Sequence, residues 1–122
     1  MKNKIPVRSS FFCSGIIDQV KQGTKTTLTY ADFEGVTEIP DNAFENCSAL
    51  TSVEIPNTIT SIGSSAFKSC SSLTNLTFQE NSTLTEINNS AFAYCSNLTT
   101  VTIPASVTGI YISAFDQCTN LA

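Results

Sequence analysis

A five-residue signature returns four times from residue 43 onward: Ala43-Phe44-Glu45-Asn46-Cys47, Ala66-Phe67-Lys68-Ser69-Cys70, Ala91-Phe92-Ala93-Tyr94-Cys95 and Ala114-Phe115-Asp116-Gln117-Cys118. The Phe-to-Phe steps are 23, 25 and 23 residues. Self-similarity at a fixed period of this size is the mark of stacked coils, each a supersecondary unit too small to bury its own apolar face. Every Cys is followed three residues later by Leu (Leu50, Leu73, Leu98, Leu121). An apolar pair two residues apart comes next, at Val53/Ile55, Leu76/Phe78 and Val101/Ile103, with Pro56 and Pro104 closing two of them. A second pair three apart precedes each signature: Val36/Ile39, Ile59/Ile62, Leu84/Ile87 and Val107/Ile110.

Alternation of inward and outward residues in Leu50-x-x-Val53-x-Ile55 is the period of a strand, and proline ends it because it cannot donate to a ladder. Ile59-x-x-Ile62 forms the return side, followed by Gly63 and the Ala-Phe-x-x-Cys turn. The 25-residue unit keeps every apolar position and gains its two residues at Gln79–Thr83, where stacked coils tolerate insertion. Leu28 and Tyr30 fit an earlier, partial unit.

These residues resemble the BspA-like (Treponema-type) leucine-rich repeat family, whose pattern runs I-x-x-x-A-F-x-x-C-x-x-L-x-x-[VIL]-x-[IF]-P. Two departures stand out: Asn88 and Tyr111 replace Gly63 in later units, and Gln79 occupies a proline position. The expected fold is a β-rich solenoid of leucine-rich repeats, with coils of about 23 residues and a short N-terminal capping helix. Residues 1–26 form the arm and helix, and residues 27–122 a solenoid of about four coils. Phe12, Cys13, Ile16, Ile17 and Val20 fall on one helical face, with Ser10 placed to cap the start and Gly23 the end.

Composition narrows the function. Charged residues make up 13% of the chain, about half the usual share, and 17 Thr and 16 Ser take their place. The chain has no His and no Trp. Without His it lacks the commonest general base, the partner of a Ser or Cys nucleophile, and the commonest metal ligand. Asp32, Glu34, Glu38 and Asp41 cluster, but a glycosidase needs its carboxylates across a cleft, and nothing in the repeat pattern builds one. The expectation is therefore a non-enzyme with no catalytic, cofactor-binding or metal-binding residues. Residues 1–30 carry five basic groups and one acid, whereas residues 31–122 carry nine acids and only Lys68. An acidic body argues against nucleic acid as partner. No apolar run approaches the length of a membrane span. Nor does the start read as a secretion leader, because Asp18 closes the short apolar stretch after Phe11.

Cys47, Cys70, Cys95 and Cys118 occupy equivalent positions and are expected as a buried column of reduced thiols, since no Cys-x-x-Cys pair occurs. The alternatives are a disulfide between adjacent coils or one joining Cys13 to the array. Phe44, Phe67, Phe92 and Phe115 should form a core spine, leaving Phe33, Tyr94 and Tyr111 for exposed contacts. Asn-x-Ser/Thr occurs at Asn46, Asn75, Asn81, Asn88 and Asn97, a frequency that this composition alone produces.

The outward strand positions carry the functional expectation. They are Thr27/Thr29, Ser52/Glu54, Asn75/Thr77 and Thr100/Thr102, a flat strip of hydroxyls broken by an amide and a carboxylate. The strip is either a solvated face or a shallow concave surface for a partner. An ice-binding lattice is interrupted by Ser-x-Glu and Asn-x-Thr. Family resemblance implies a non-enzymatic protein-binding or adhesion module. It would be secreted or displayed at the cell surface, contacting a host matrix or neighbouring-cell protein through Ser52, Glu54, Asn75, Thr77, Thr100 and Thr102. The alternative is a structural solenoid that self-associates end to end through its open C-terminal coil.

Overall fold

The computed structural model describes residues 16–121 and is a parallel β-solenoid of about four turns. Helix α1 (Ile17–Lys21) leads in, burying Ile17 and Val20. Gly23 follows with φ +82°, the left-handed conformation that glycine adopts without steric cost after a helix end. Ser10, Phe12 and Cys13, and with them most of the expected capping helix, lie outside the described residues.

Each coil then runs front strand, return strand, turn. Strands β1 (Thr27–Leu28), β3 (Ser52–Ile55) and β5 (Asn75–Phe78) make the front sheet, in the order β1-β3-β5. Strands β2 (Glu38–Ile39), β4 (Ser61–Ile62), β6 (Glu86–Ile87) and β7 (Gly109–Ile110) make the return sheet in chain order. All pairings are parallel, and Val53 stands opposite Leu76 while Ile62 stands opposite Ile87. The repeat period thus becomes the register: equivalent residues of successive coils lie side by side.

The core follows the apolar pattern. Leu50, Leu73 and Leu98, Ile59, Ile62 and Ile87, and Phe44, Phe67 and Phe92 are all fully buried. The Phe rings stack with centroids 5.2, 5.2 and 5.4 Å apart down to Phe115, which is half-buried. Spacing of this kind is favourable for offset rings beyond the area they bury.

The turns repeat a backbone device. Residues before each Ala (Asn42, Ser65, Ser90, Ser113) and before each Cys (Asn46, Ser69, Tyr94, Gln117) have φ between 59° and 64°. Asn tolerates this region well, and Ser's small side chain is accommodated; Tyr94 adopts it against its bulk. Main-chain bonds in the turns run forward along the stack, as in Phe44 N–H to Ala66 O, Phe67 N–H to Ala91 O and Phe92 N–H to Ala114 O, each 2.7 Å. Elsewhere inter-coil bonds outside the strand ladders run backward, as in Thr74 N–H to Thr51 O and Thr85 N–H to Thr60 O.

Polar side chains obey the same register. Thr51, Thr74, Thr60 and Thr85 each donate Oγ1 to a carbonyl of the preceding coil. The thiols do likewise, with Cys70 Sγ on Phe44 O (3.2 Å), Cys95 Sγ on Phe67 O (3.2 Å) and Cys118 Sγ on Phe92 O (3.1 Å). Cys47, Cys70, Cys95 and Cys118 are buried and free, as the column reading expected. Burial pushes the Cys47 thiol up to about 11 and the Cys95 thiol up to about 12, and raises Cys70 and Cys118 as well. Desolvation of the thiolate is the leading cause in all four.

One expectation needs correction here. Phe33 is fully buried, because Tyr30–Phe33 coils into a 3-10 helix after β1 and turns that ring into the core. The same coiling ends β1 at Leu28 and leaves Tyr30 half-buried.

Candidate functional site

The front sheet presents the outward residues side by side, Thr27 beside Ser52 and Ser52 beside Asn75, with Glu54 beside Thr77. Thr27, Asn75 and Thr77 are exposed, and Ser52 and Glu54 half-exposed. Glu54 is less free than its position implied, since its Oε1 accepts the Tyr30 N–H at 3.3 Å. Thr29 leaves the strip, its N–H donating to Asp32 Oδ2 at 2.9 Å and its side chain directed there too.

Thr100 and Thr102 require correction. They are exposed, but residues 99–105 form no strand, and the front sheet stops at β5. Val101 and Ile103 are only half-buried. In coil 3, Gln79 donates its N–H to Ile55 O (2.9 Å) and accepts the Asn57 N–H on Oε1 (2.9 Å). Pro104 is the equivalent residue of coil 4 and has neither an N–H nor a carboxamide. The two-residue insertion adds bulk at the same place. Asn57 Nδ2 holds the inserted loop down through Glu80 O (3.0 Å), binding it to coil 2 and not to coil 4.

Between β5 and coil 4 a groove opens, which corrects the expectation that the repeat builds no cleft. Its volume is about 430 Å3, within the range of ligand-binding clefts. One wall is Leu76, Thr77 and Phe78, the floor loop is Gln79 to Ser82, and the other wall is Thr100, Thr102 and Pro104 to Ser106. The groove thus gathers Thr77, Thr100 and Thr102 and leaves Ser52, Glu54 and Asn75 on the adjoining flat face. Glu80 is its one charged lining residue.

Main-chain groups complete the chemistry. Asn75 and Gln79 direct their N–H groups to coil 2. In a parallel strand the N–H and C=O of one residue share an edge, and edges alternate along the chain. Leu76 and Phe78 therefore direct theirs toward the groove, where they make no hydrogen bond among the described residues. Across the groove the N–H groups of Thr99 to Ile103 likewise make no main-chain bond among the described residues.

The sequence marks this place, through the insertion and Pro104, but an apolar pattern that continues through Val101 and Ile103 masks the opening. Tyr94 and Tyr111 are exposed as expected, at 49% and 45%, and Ile112 is more exposed, at 78%. Asn88 and Asn97 spend their Nδ2 groups on Ile62 O (2.9 Å) and Ser71 O (2.8 Å). Among the described residues no helix is long and apolar enough to cross a membrane.

Comparison with known proteins bears on all of this. Residues 24–122 match the BspA type leucine rich repeat region, in six copies. A leucine rich cell surface protein from Faecalibacterium prausnitzii is 46% identical over 70% of this chain, with a TM-score of 0.65. The pneumococcal vaccine antigen PcpA is 37% identical over 68% (TM-score 0.65), and a leucine-rich repeat protein from Bacteroides capillosus is 43% identical over 62% (TM-score 0.57). The chain spans 24%, 20% and 53% of those three proteins. No curated protein matches it.

Proposed function

The chain belongs to the BspA-type leucine-rich repeat family, and on that premise we propose that it is a non-enzymatic protein-binding module, displayed at the cell surface and contacting host matrix or neighbouring-cell proteins. A relative described as a cell surface protein supports the setting. The observation that carries the reading is the front face: exposed Asn75 and Thr77 beside half-exposed Ser52 and Glu54, running into the groove. Neutral hydroxyl and amide groups desolvate at small cost and adapt their hydrogen bonds to a partner.

Binding to a panel of purified matrix and cell-surface proteins tests it, comparing the native chain with the double variant Ser52→Lys, Asn75→Glu. These two stand opposite one another, so opposite charges add bulk to the face without cross-strand repulsion. The expected result is a panel member bound by the native chain and lost in the folded variant. A panel that binds neither, or both equally, overturns the reading.

A second reading has its own observation. Ile110 of β7 is 50% exposed and Ile112 78% exposed, beside half-buried Phe115. Such an apolar strand edge supports end-to-end self-association, and concentration-dependent light scattering separates it from hetero-binding.

A further inference from the structure

We infer that the groove between β5 and coil 4 is a strand slot, which takes an extended, lysine-bearing segment of the partner protein by main-chain pairing. This rests on the protein-binding reading and specifies what the partner offers. The unbonded peptide groups of Leu76 and Phe78 lie two residues apart on one edge, at the repeat of a β-strand. Only an extended chain satisfies alternate N–H and C=O groups at that spacing, which is how a peptide is added to an open sheet edge. The opposite wall, residues 99–103, offers further N–H groups without a bond among the described residues. The β5 edge of four residues spans about 13 Å, enough for a segment of four to five residues.

Side chains narrow the occupant further. Half-buried Phe78 and Pro104 give the segment's inward residues an apolar seat, and the exposed Thr77, Thr100 and Thr102 hydroxyls line the outward side. Glu80 stands two residues beyond β5, the groove lining holds no cation, and residues 31–122 carry nine acids against Lys68. A basic residue at the end of the segment beside Glu80 fits that field.

The test uses the full chain and a capped heptapeptide, Lys-Thr-Val-Thr-Val-Thr-Lys, with two probes of its mode. Titration should show binding. N-methylation of the two amides that face β5 should weaken it about tenfold or more, since two hydrogen bonds and their spacing are lost. Glu80→Lys, at an exposed loop position, should weaken it several-fold and reduce its salt dependence. Hydrogen exchange should show the Leu76 and Phe78 amides about a hundredfold faster than the Ile55 amide in the free protein, slowing on peptide addition.

If the Leu76 and Phe78 amides are as protected as Ile55 in the free protein, residues 99–103 close the edge themselves and the slot does not exist. Equal binding of the N-methylated peptide also overturns the inference, because recognition then avoids the main chain. Should the peptide fail while a panel protein binds and is lost in Ser52→Lys, Asn75→Glu, the strand slot falls and the protein-binding reading stands. Peptide binding without any panel partner leaves the slot standing and removes the proposed use of the flat face.

Discussion

The two sheets are cut from the same four coils, yet the return sheet has four strands and the front sheet three. On the return side β6 meets β7 in full register, with Ile87 beside Ile110. Coil 4 is equally well held at its turn, where Phe92, Tyr94 and Ser90 donate to Ala114, Asp116 and Ile112 and the ring stack continues to Phe115. Only its front is detached. On the front, two residues pair between β1 and β3, where the 3-10 turn ends β1, four pair between β3 and β5, where the later coil has Gln79, and none pair beyond β5, where it has Pro104. Apolar residues repeat faithfully in every coil and fix which side faces inward. Local departures, the 3-10 turn after β1 and Pro104 with the inserted loop beside it, then decide how far neighbouring coils are stitched together at the front.

The largest effect expected is in the part that holds. Phe67→Ala should cost about 3–5 kcal/mol in a denaturant titration, as a ring stacked on both faces and fully buried. Phe115→Ala, at the half-buried end of the same stack, should cost about half as much or less. Equal costs would mean that the Phe115 ring is as well covered as Phe67, and that the opening at the front does not loosen the turn of coil 4.

Next in size is the return side. At Gly63 an added Cβ would stand 2.6 Å from the Asp41 nitrogen and 2.7 Å from the Pro40 carbonyl carbon. Gly63→Ala should therefore cost about 1–3 kcal/mol by the same measurement, the range for forced overpacking. A neutral result would show that coils 1 and 2 give way there as the front of coil 4 does.

Alkaline titration probes the turn columns. The thiols have an ordinary value of 9.0 and are raised by burial, to about 11 at Cys47 and about 12 at Cys95. With the folded value above the unfolded one, the unfolded chain binds fewer protons between them, so stability is fully present below pH 9 and declines as pH rises toward 12. Unfolding at pH 7 and at pH 10 should show that decline, and a thiol reagent at pH 8 should leave the four column cysteines unmodified until the chain unfolds. A stability that rises over this range would remove the buried column.

The smallest effect sharpens the contrast most. Pro104→Gln restores the N–H and carboxamide that Gln79 uses in coil 3. The gain in stability should stay within about 1 kcal/mol, since lost proline rigidity offsets part of it. Exchange at Leu76 and Phe78 should nevertheless slow strongly, as the front sheet gains its fourth rung. No change in exchange would locate the cause of the opening in the inserted loop rather than in proline.

How much of this is legible in the sequence divides along the same line. Coil period, core columns and thiol stack follow from spacing, because identical residues at a fixed step must lie in identical places once coils are in register. Phe33 is misread because its burial depends on a 3-10 turn that no other coil repeats. Thr100 and Thr102 are misread because Leu98, Val101 and Ile103 carry the strand pattern intact, while the departure lies beside it, at Pro104 and in the inserted loop of coil 3. Periodicity reports burial well. It is silent about single hydrogen bonds between coils.

The opposed bond directions in the turns and elsewhere have a consequence for growth. In an α-helix every peptide dipole points the same way, and partial charges build at the two ends. Here turn N–H groups such as those of Phe44 and Phe67 point toward later coils, while those of Thr74 and Thr85 point toward earlier ones. Within the strands they alternate, as in sheets generally. Axial polarity therefore cancels within each coil instead of accumulating along the stack. A solenoid of this kind can lengthen coil by coil with no main-chain dipole building up at its ends, so the backbone sets no limit on the number of repeats.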